Sequence, residues 1–150
     1  MILLDTNVVS ELMRHRPDPG VTSWLANQAS ADVFISAITE AELRYGVAIL
    51  PAGRRRDEIA AEVENMFQED FAQRILPFDS EAARTYAKIG ARRRNAGLPI
   101  SHADCQIAAI ARCCGAAIAT RNVGHFEHCG IEVINSWNAV VDLKPYSTET

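Results

Sequence analysis

MILLDTN, Met1 to Asn7, sets the reading of the whole chain: a short apolar run that ends abruptly on an acid. Ile2-Leu3-Leu4 is too short for a helix and has the composition of a buried strand. Four further runs read the same way: Val33-Phe34-Ile35, Ile75-Leu76-Pro77-Phe78, Ala116-Ala117-Ile118-Ala119 and Glu132-Val133-Ile134. The stretches between them are too long for hairpins. Residues 39–50, 54–73, 80–95 and 102–114 have helical composition, and in the last of these Ile107, Ile110, Ala111 and Cys114 keep a helical period. Strands joined through helices imply crossover connections. The expected fold class is therefore α/β, with helices on both faces of a central, mostly parallel five-stranded sheet. Pro77 suits an edge strand. Pro51-Ala52-Gly53 and Gly97-Leu98-Pro99 read as breaks, and Arg14–Gly20 as a polar loop. One domain over residues 1–137 is expected, with a tail over 138–150 where the pattern dissolves.

Composition agrees. The chain has 150 residues, 48% hydrophobic and 23% charged, which fits one globular domain and excludes a disordered chain. At this length roughly 70% of the unfolded surface is buried on folding, enough for one proper core. No apolar run approaches the roughly 18 residues of a membrane helix. The charge at Asp5 comes too early for a secretory signal, so a cytoplasmic protein is expected. Cys105, Cys113, Cys114 and Cys129 have neither zinc-ligand spacing nor the look of a disulfide framework, and read as reduced thiols. The net charge of −4 gives no overall positive field for nucleic acid. Yet 13 of the 15 basic residues are Arg, with triplets at Arg54-Arg55-Arg56 and Arg92-Arg93-Arg94. Arg suits bidentate phosphate contacts, although each triplet also reads as a solvated helix face.

Three acids occupy comparable places. Asp5 follows the first strand, Glu42 comes soon after the second, and Asp104 lies in the first turn of a helix that begins near Ser101. In open α/β sheets ligands bind outside the carboxyl ends of the strands. Capping is the competing explanation. Ser101-x-x-Asp104 and Thr39-x-x-Glu42 match capping boxes, and Asp5-Thr6-Asn7 could cap a helix. Against it, Asp104 shares a helical face with Ile107, Ala108 and Ala111, and Glu42 a stripe with Ile38, Tyr45 and Ile49. A carboxylate at an inward position is costly unless paired or bound to a metal. Oxygen-only ligation would suit Mg²⁺ or Mn²⁺.

Four segments then resemble the PIN-domain ribonucleases, especially toxins of the VapC/FitB type. They are Met1–Leu12, Ile38-Thr-Glu-Ala-Glu42-Leu-Arg-Tyr-Gly46, the stretch from Arg93 through Asp104 to Ala111, and Thr120-Arg-Asn-Val-Gly-His-Phe126 with Gly130–Trp137. The resemblance covers residues 1 to 137. It implies a PIN-like three-layer α/β/α sandwich, cleavage of RNA dependent on Mg²⁺ or Mn²⁺, and Asp5, Glu42 and Asp104 as the acidic, metal-holding site. It also implies a cognate antitoxin that blocks the site, and a homodimer that becomes a heterotetramer or larger with that antitoxin. The fourth motif often carries acids where this chain has Asn122 and His125. These two, with Thr6 and Arg121, are expected to support the site, with Arg121 and an Arg triplet against the RNA backbone. Two rivals stand beside this reading: a PIN fold that binds RNA or a partner without catalysis, and a haloacid-dehalogenase-type phosphohydrolase with Asp5 as nucleophile. The latter wants a second acid at position 7, where this chain has Asn7.

Overall fold

The computed structural model describes residues 1–138. Five strands form one sheet: β1 (Ile2–Leu4), β2 (Val33–Ser36), β3 (Ile75–Leu76), β4 (Ala117–Ala119) and β5 (Val133–Ile134). Their order is β3-β2-β1-β4-β5, and every neighbouring pair is parallel. β1 lies in the centre, with Ile2 opposite Val33 on one side and Ala117 on the other. Six helices connect and cover the strands: α1 (Thr6–Leu12), α2 (Pro19–Ala26), α3 (Ala37–Ala48), α4 (Arg54–Asn65), α5 (Ser80–Asn95) and α6 (His102–Cys114).

Alternate residues of a strand face opposite ways, and β1 divides its two leucines accordingly. Leu3 joins Ile118 on one face, packed with Ile89 of α5 and Ile107, Ala108 and Ala111 of α6. Leu4 joins Ile35 on the other, packed with Val8 and Val9 of α1, Trp24 of α2 and Val63 of α4. The two apolar clusters give the three layers. α6 stops at Gly115, whose φ of 66° is the left-handed geometry that closes a helix cheaply only in glycine.

The structure sharpens several expectations and overturns others. The sheet is wholly parallel. The third strand ends at Leu76, so Pro77 lies just past an edge strand and takes no ladder position. Helical structure from residue 54 continues only to Asn65, followed by one wider turn over Met66–Asp70. The polar loop gives way at Pro19 to α2, because Asp18 caps it by accepting from the Gly20 and Val21 N–H groups at 2.8 and 3.3 Å. Among the described residues no helix is long and apolar enough to cross a membrane. Of the expected tail over 138–150, residues 139–150 lie outside the described residues.

Candidate active site

Parallel strands bring their carboxyl ends to one edge, and the three acids reach that edge by different routes. Asp5 is the residue after β1 and the N-cap of α1. The residue is 5% exposed, and both of its carboxylate oxygens accept hydrogen bonds. The Thr6 N–H donates to Oδ1 at 2.8 Å, while the Thr120 hydroxyl and the Asn7 amide donate to Oδ2 at 2.8 and 3.2 Å. Asn7 also donates to Thr120 Oγ1 at 3.2 Å and accepts from the Arg121 N–H at 3.3 Å. The Asn122 N–H closes the circuit on Thr120 Oγ1 at 3.0 Å. The end of β1 is thereby tied to the end of β4.

Glu42 stands on α3, in the middle of a helix whose cap is Ser36, which accepts from the Thr39 N–H at 3.0 Å. The capping box at Thr39 and Glu42 therefore does not form. Thr39 is wholly buried, and its hydroxyl lies 3.0 Å from that of Thr6, which donates to Glu42 Oε1 at 3.0 Å. Nor is the stripe shared with Tyr45 and Ile49 an inward one: those residues are 67% and 64% exposed, and Leu43 and Val47 make the packed face of α3. Glu42 owes its place to Thr6. Asp104 does sit on the buried face of α6 beyond Ile107 and Ala108. Ser101 caps that helix through the Asp104 N–H at 3.2 Å, while the Asp104 carboxylate meets His125 Nδ1 at 3.0 Å.

Asp5, Glu42 and Asp104 line one open cleft of about 520 Å³ together with Thr6, Arg121 and Asn122. A larger hollow of about 780 Å³, lined by Met13, Leu25, Val33 and Phe71, touches none of these residues; it opens by the first residue of β2, away from the acids. Burial raises the Asp5 carboxyl above its ordinary pKa, against the hydrogen bonds from Thr120 and Thr6, and the Asp104 charge adds to the rise. Burial also raises Glu42, with repulsion from Asp5 and Asp104 adding and the Thr6 hydrogen bond opposing. The three charges thus feel one another. Among the described residues no three acids, histidines or cysteines close into a ready-made metal cage. A cleft with carboxylate oxygens and free access for water nonetheless fits Mg²⁺ or Mn²⁺, which keep several waters and need few protein ligands.

Three residues of the site went unremarked as such in the sequence: Asn7, Thr39 and Thr120. Only the position of Thr120 directly after a strand, matching Asp5 after β1, could have pointed to one of them. Within the Arg92–Arg94 triplet the middle residue is not free for RNA, whereas Arg92 and Arg94 are exposed. Arg93 is 4% exposed and donates to the carbonyls of Gly124, Glu127 and Pro99 at 3.2, 2.9 and 3.4 Å. It clamps the short turn Val123–Phe126, which carries His125, to the loop ahead of α6. All four cysteines are free thiols, as expected.

An all-parallel three-layer sandwich with acids gathered at the carboxyl edge defines a class, and the PIN domain model matches residues 2–130. The chain belongs to the PIN-domain family. Within it, the chain stands with the VapC and FitB proteins. It is 44% identical over 137 residues to VapC ribonuclease Y4jK of Sinorhizobium fredii, covering 91% of this chain and 98% of the relative. It is 43% identical over 138 residues to toxin FitB of Neisseria gonorrhoeae, covering 92% and 99%. Its fold superposes on a chain of FitAB bound to a DNA fragment with a TM-score of 0.89 and 41% identity, covering 95% of this chain and 99% of that one. A member of the VapBC family of toxin–antitoxin systems from Mycobacterium tuberculosis aligns at a TM-score of 0.61 and 25% identity, covering 89% and 96%.

Proposed function

We propose that this protein is a metal-dependent endoribonuclease toxin held in check by an antitoxin, with Asp5, Glu42 and Asp104 as its catalytic carboxylates. The observation that carries the assignment is the convergence of these three acids, from three separate elements, on one open cleft. The ribonuclease and toxin names of its relatives support the activity. Asp5 and Asp104 are the residues to hold Mg²⁺ or Mn²⁺. Bound there, such an ion supplies charge against the scissile phosphate and makes a water more acidic. The remaining work belongs to the chain. Thr6, Asn7 and Thr120 fix the Asp5 carboxylate, so that it need not reorganise during the reaction. Glu42, steadied through Thr6 and with its proton affinity raised, takes the proton of the attacking water. Asn122 offers a neutral amide at the cleft, and Arg121 a cation for the RNA backbone.

The same cluster of acids, before metal binds, is a natural seat for a guanidinium, and an antitoxin segment bearing an Arg would silence it. A toxin homodimer in the cytoplasm, assembled with its antitoxin as a heterotetramer or larger, completes the reading. Purified protein should cleave RNA only with Mg²⁺ or Mn²⁺, and Asp104→Asn should not cleave. Activity that survives exhaustive chelation would overturn the metal requirement. Metal binding without any cleavage would leave a protein that only binds RNA or a partner.

A further inference from the structure

Trp137 and Arg121 form a second feature of the cleft wall that catalysis does not use. The Arg121 guanidinium lies over the Trp137 indole, 5.2 Å from the ring centroid. Both residues line the cleft with the three acids. Among the described residues the Arg121 side chain pairs with no carboxylate, although acids line the same cleft. Arg14, the other cation at the cleft, is joined to Glu11 at 3.2 Å. The backbone holds the pair from both sides. Asn135 Oδ1 accepts from the Trp137 N–H at 3.0 Å, and the Arg121 N–H is tied to Asn7, which contacts Asp5.

We propose that the Arg121–Trp137 pair is a nucleotide subsite, on which a base next to the cleaved bond stacks while the guanidinium edge takes its phosphate. The proposal rests on the nuclease reading. Its physical basis is that an acidic cleft repels RNA unless something local offsets the charge, and nucleobases stack on aromatic rings and on guanidinium planes. An indole already supporting the guanidinium fixes that plane in advance, which reduces the entropy lost on binding. Stacking of this kind is tolerant of sequence because every base has a π-face, so the pair places a nucleotide without naming it.

The test uses the full chain with a short fluorogenic oligoribonucleotide and its twin carrying one abasic residue beside the cleavage site. Base removal should lower kcat/KM for the parent protein by about tenfold. In Arg121→Lys, which keeps the charge and loses the plane, the natural substrate should show a KM raised by about tenfold with kcat little changed, and the abasic twin no further loss. Trp137→Leu should behave like Arg121→Lys, and Trp137→Phe, which keeps an aromatic face, should recover part of that loss. Arg121 is exposed, so its variant stays informative even if Trp137→Leu fails to fold. The chain has two tryptophans, and Trp24 is buried, so quenching of fluorescence by an uncleavable 2′-O-methyl oligonucleotide reports on Trp137 whether or not cleavage occurs. Quenching without cleavage upholds the subsite and removes the nuclease. Normal cleavage with an equal abasic penalty in parent and Arg121→Lys overturns the subsite alone. A pair that affects only antitoxin binding overturns it in favour of a protein partner.

Discussion

Replacing Asp5 or Asp104 by Asn removes a charge while keeping the outline of the side chain. At Asp5 the amide oxygen can still accept from the Thr6 N–H, while the new amide replaces the oxygen that accepted from Thr120 and Asn7. Cleavage should fall at least about a hundredfold in either variant. Stability of Asp5→Asn should stay within about 1 kcal/mol of the parent by urea unfolding, because the loss of repulsion offsets a poorer contact to Asn7. A collapse of the fold would mean that the acid is there for its cap. His125 presents a different case, since it meets Asp104 directly. His125→Asp adds a negative charge beside Asp104 and should tighten Mg²⁺ or Mn²⁺ binding in calorimetry while keeping or raising cleavage. His125→Ala should leave the ion bound with only a modest change in rate. Abolished cleavage with normal metal binding would instead make this histidine a catalytic acid.

At the scale of elements, Arg93 joins two loops by three carbonyl contacts from a position almost without solvent. Arg93→Met would leave those carbonyls to find other partners and should cost about 3 kcal/mol in urea unfolding, with Arg93→Lys recovering only part. Gly115→Ala, at the left-handed end of α6, should cost about 1 kcal/mol by the same measurement. These elements were unequally legible. The five strands and α5 and α6 could be read because apolar runs and helical periods report burial directly. α1 and α2 leave little trace in the sequence because each is short, and their starts are marked only by Asp5-Thr6 and Asp18-Pro19. On α3 the spacing points to the wrong inward face. Tyr45 and Ile49 have the spacing of a buried stripe, yet neighbours decide burial, and those two side chains stay mostly exposed on the described domain. Sequence spacing brought the acids to one edge through the rule for parallel sheets. It could not show that Thr6 joins Glu42, or that Asn7 and Thr120 meet at Asp5, because those are contacts between distant segments.

For the whole molecule, the acids set a dependence of stability on pH. Asp5 and Glu42 hold protons more tightly folded than unfolded. Their contribution to stability is therefore fully present below the ordinary carboxylate values near pH 4 and is lost as pH rises through the raised folded values. In the absence of metal, the stability of the parent minus that of Asp5→Asn should decline from about pH 4 to pH 7. Chemical denaturation in a chelating buffer measures this, and a difference that grows with pH would contradict it. On the proposed metal assignment Mg²⁺ should bind the ionised site, and should therefore raise the unfolding midpoint at neutral pH and have little effect near pH 4.

The central position of β1 also has a consequence in time. Its acid is completed by Thr120, 115 residues further along, and its second neighbour is β4. At roughly 5–20 residues per second, a ribosome needs about 6 to 23 seconds to pass from one to the other. Throughout that interval β1 can pair on one side at most, and Asp5 lacks the hydroxyl that fixes it. The nascent chain therefore lacks the Asp5–Thr120 contact until β4 has been made, and the fixed carboxylate is among the last features of the domain to be completed.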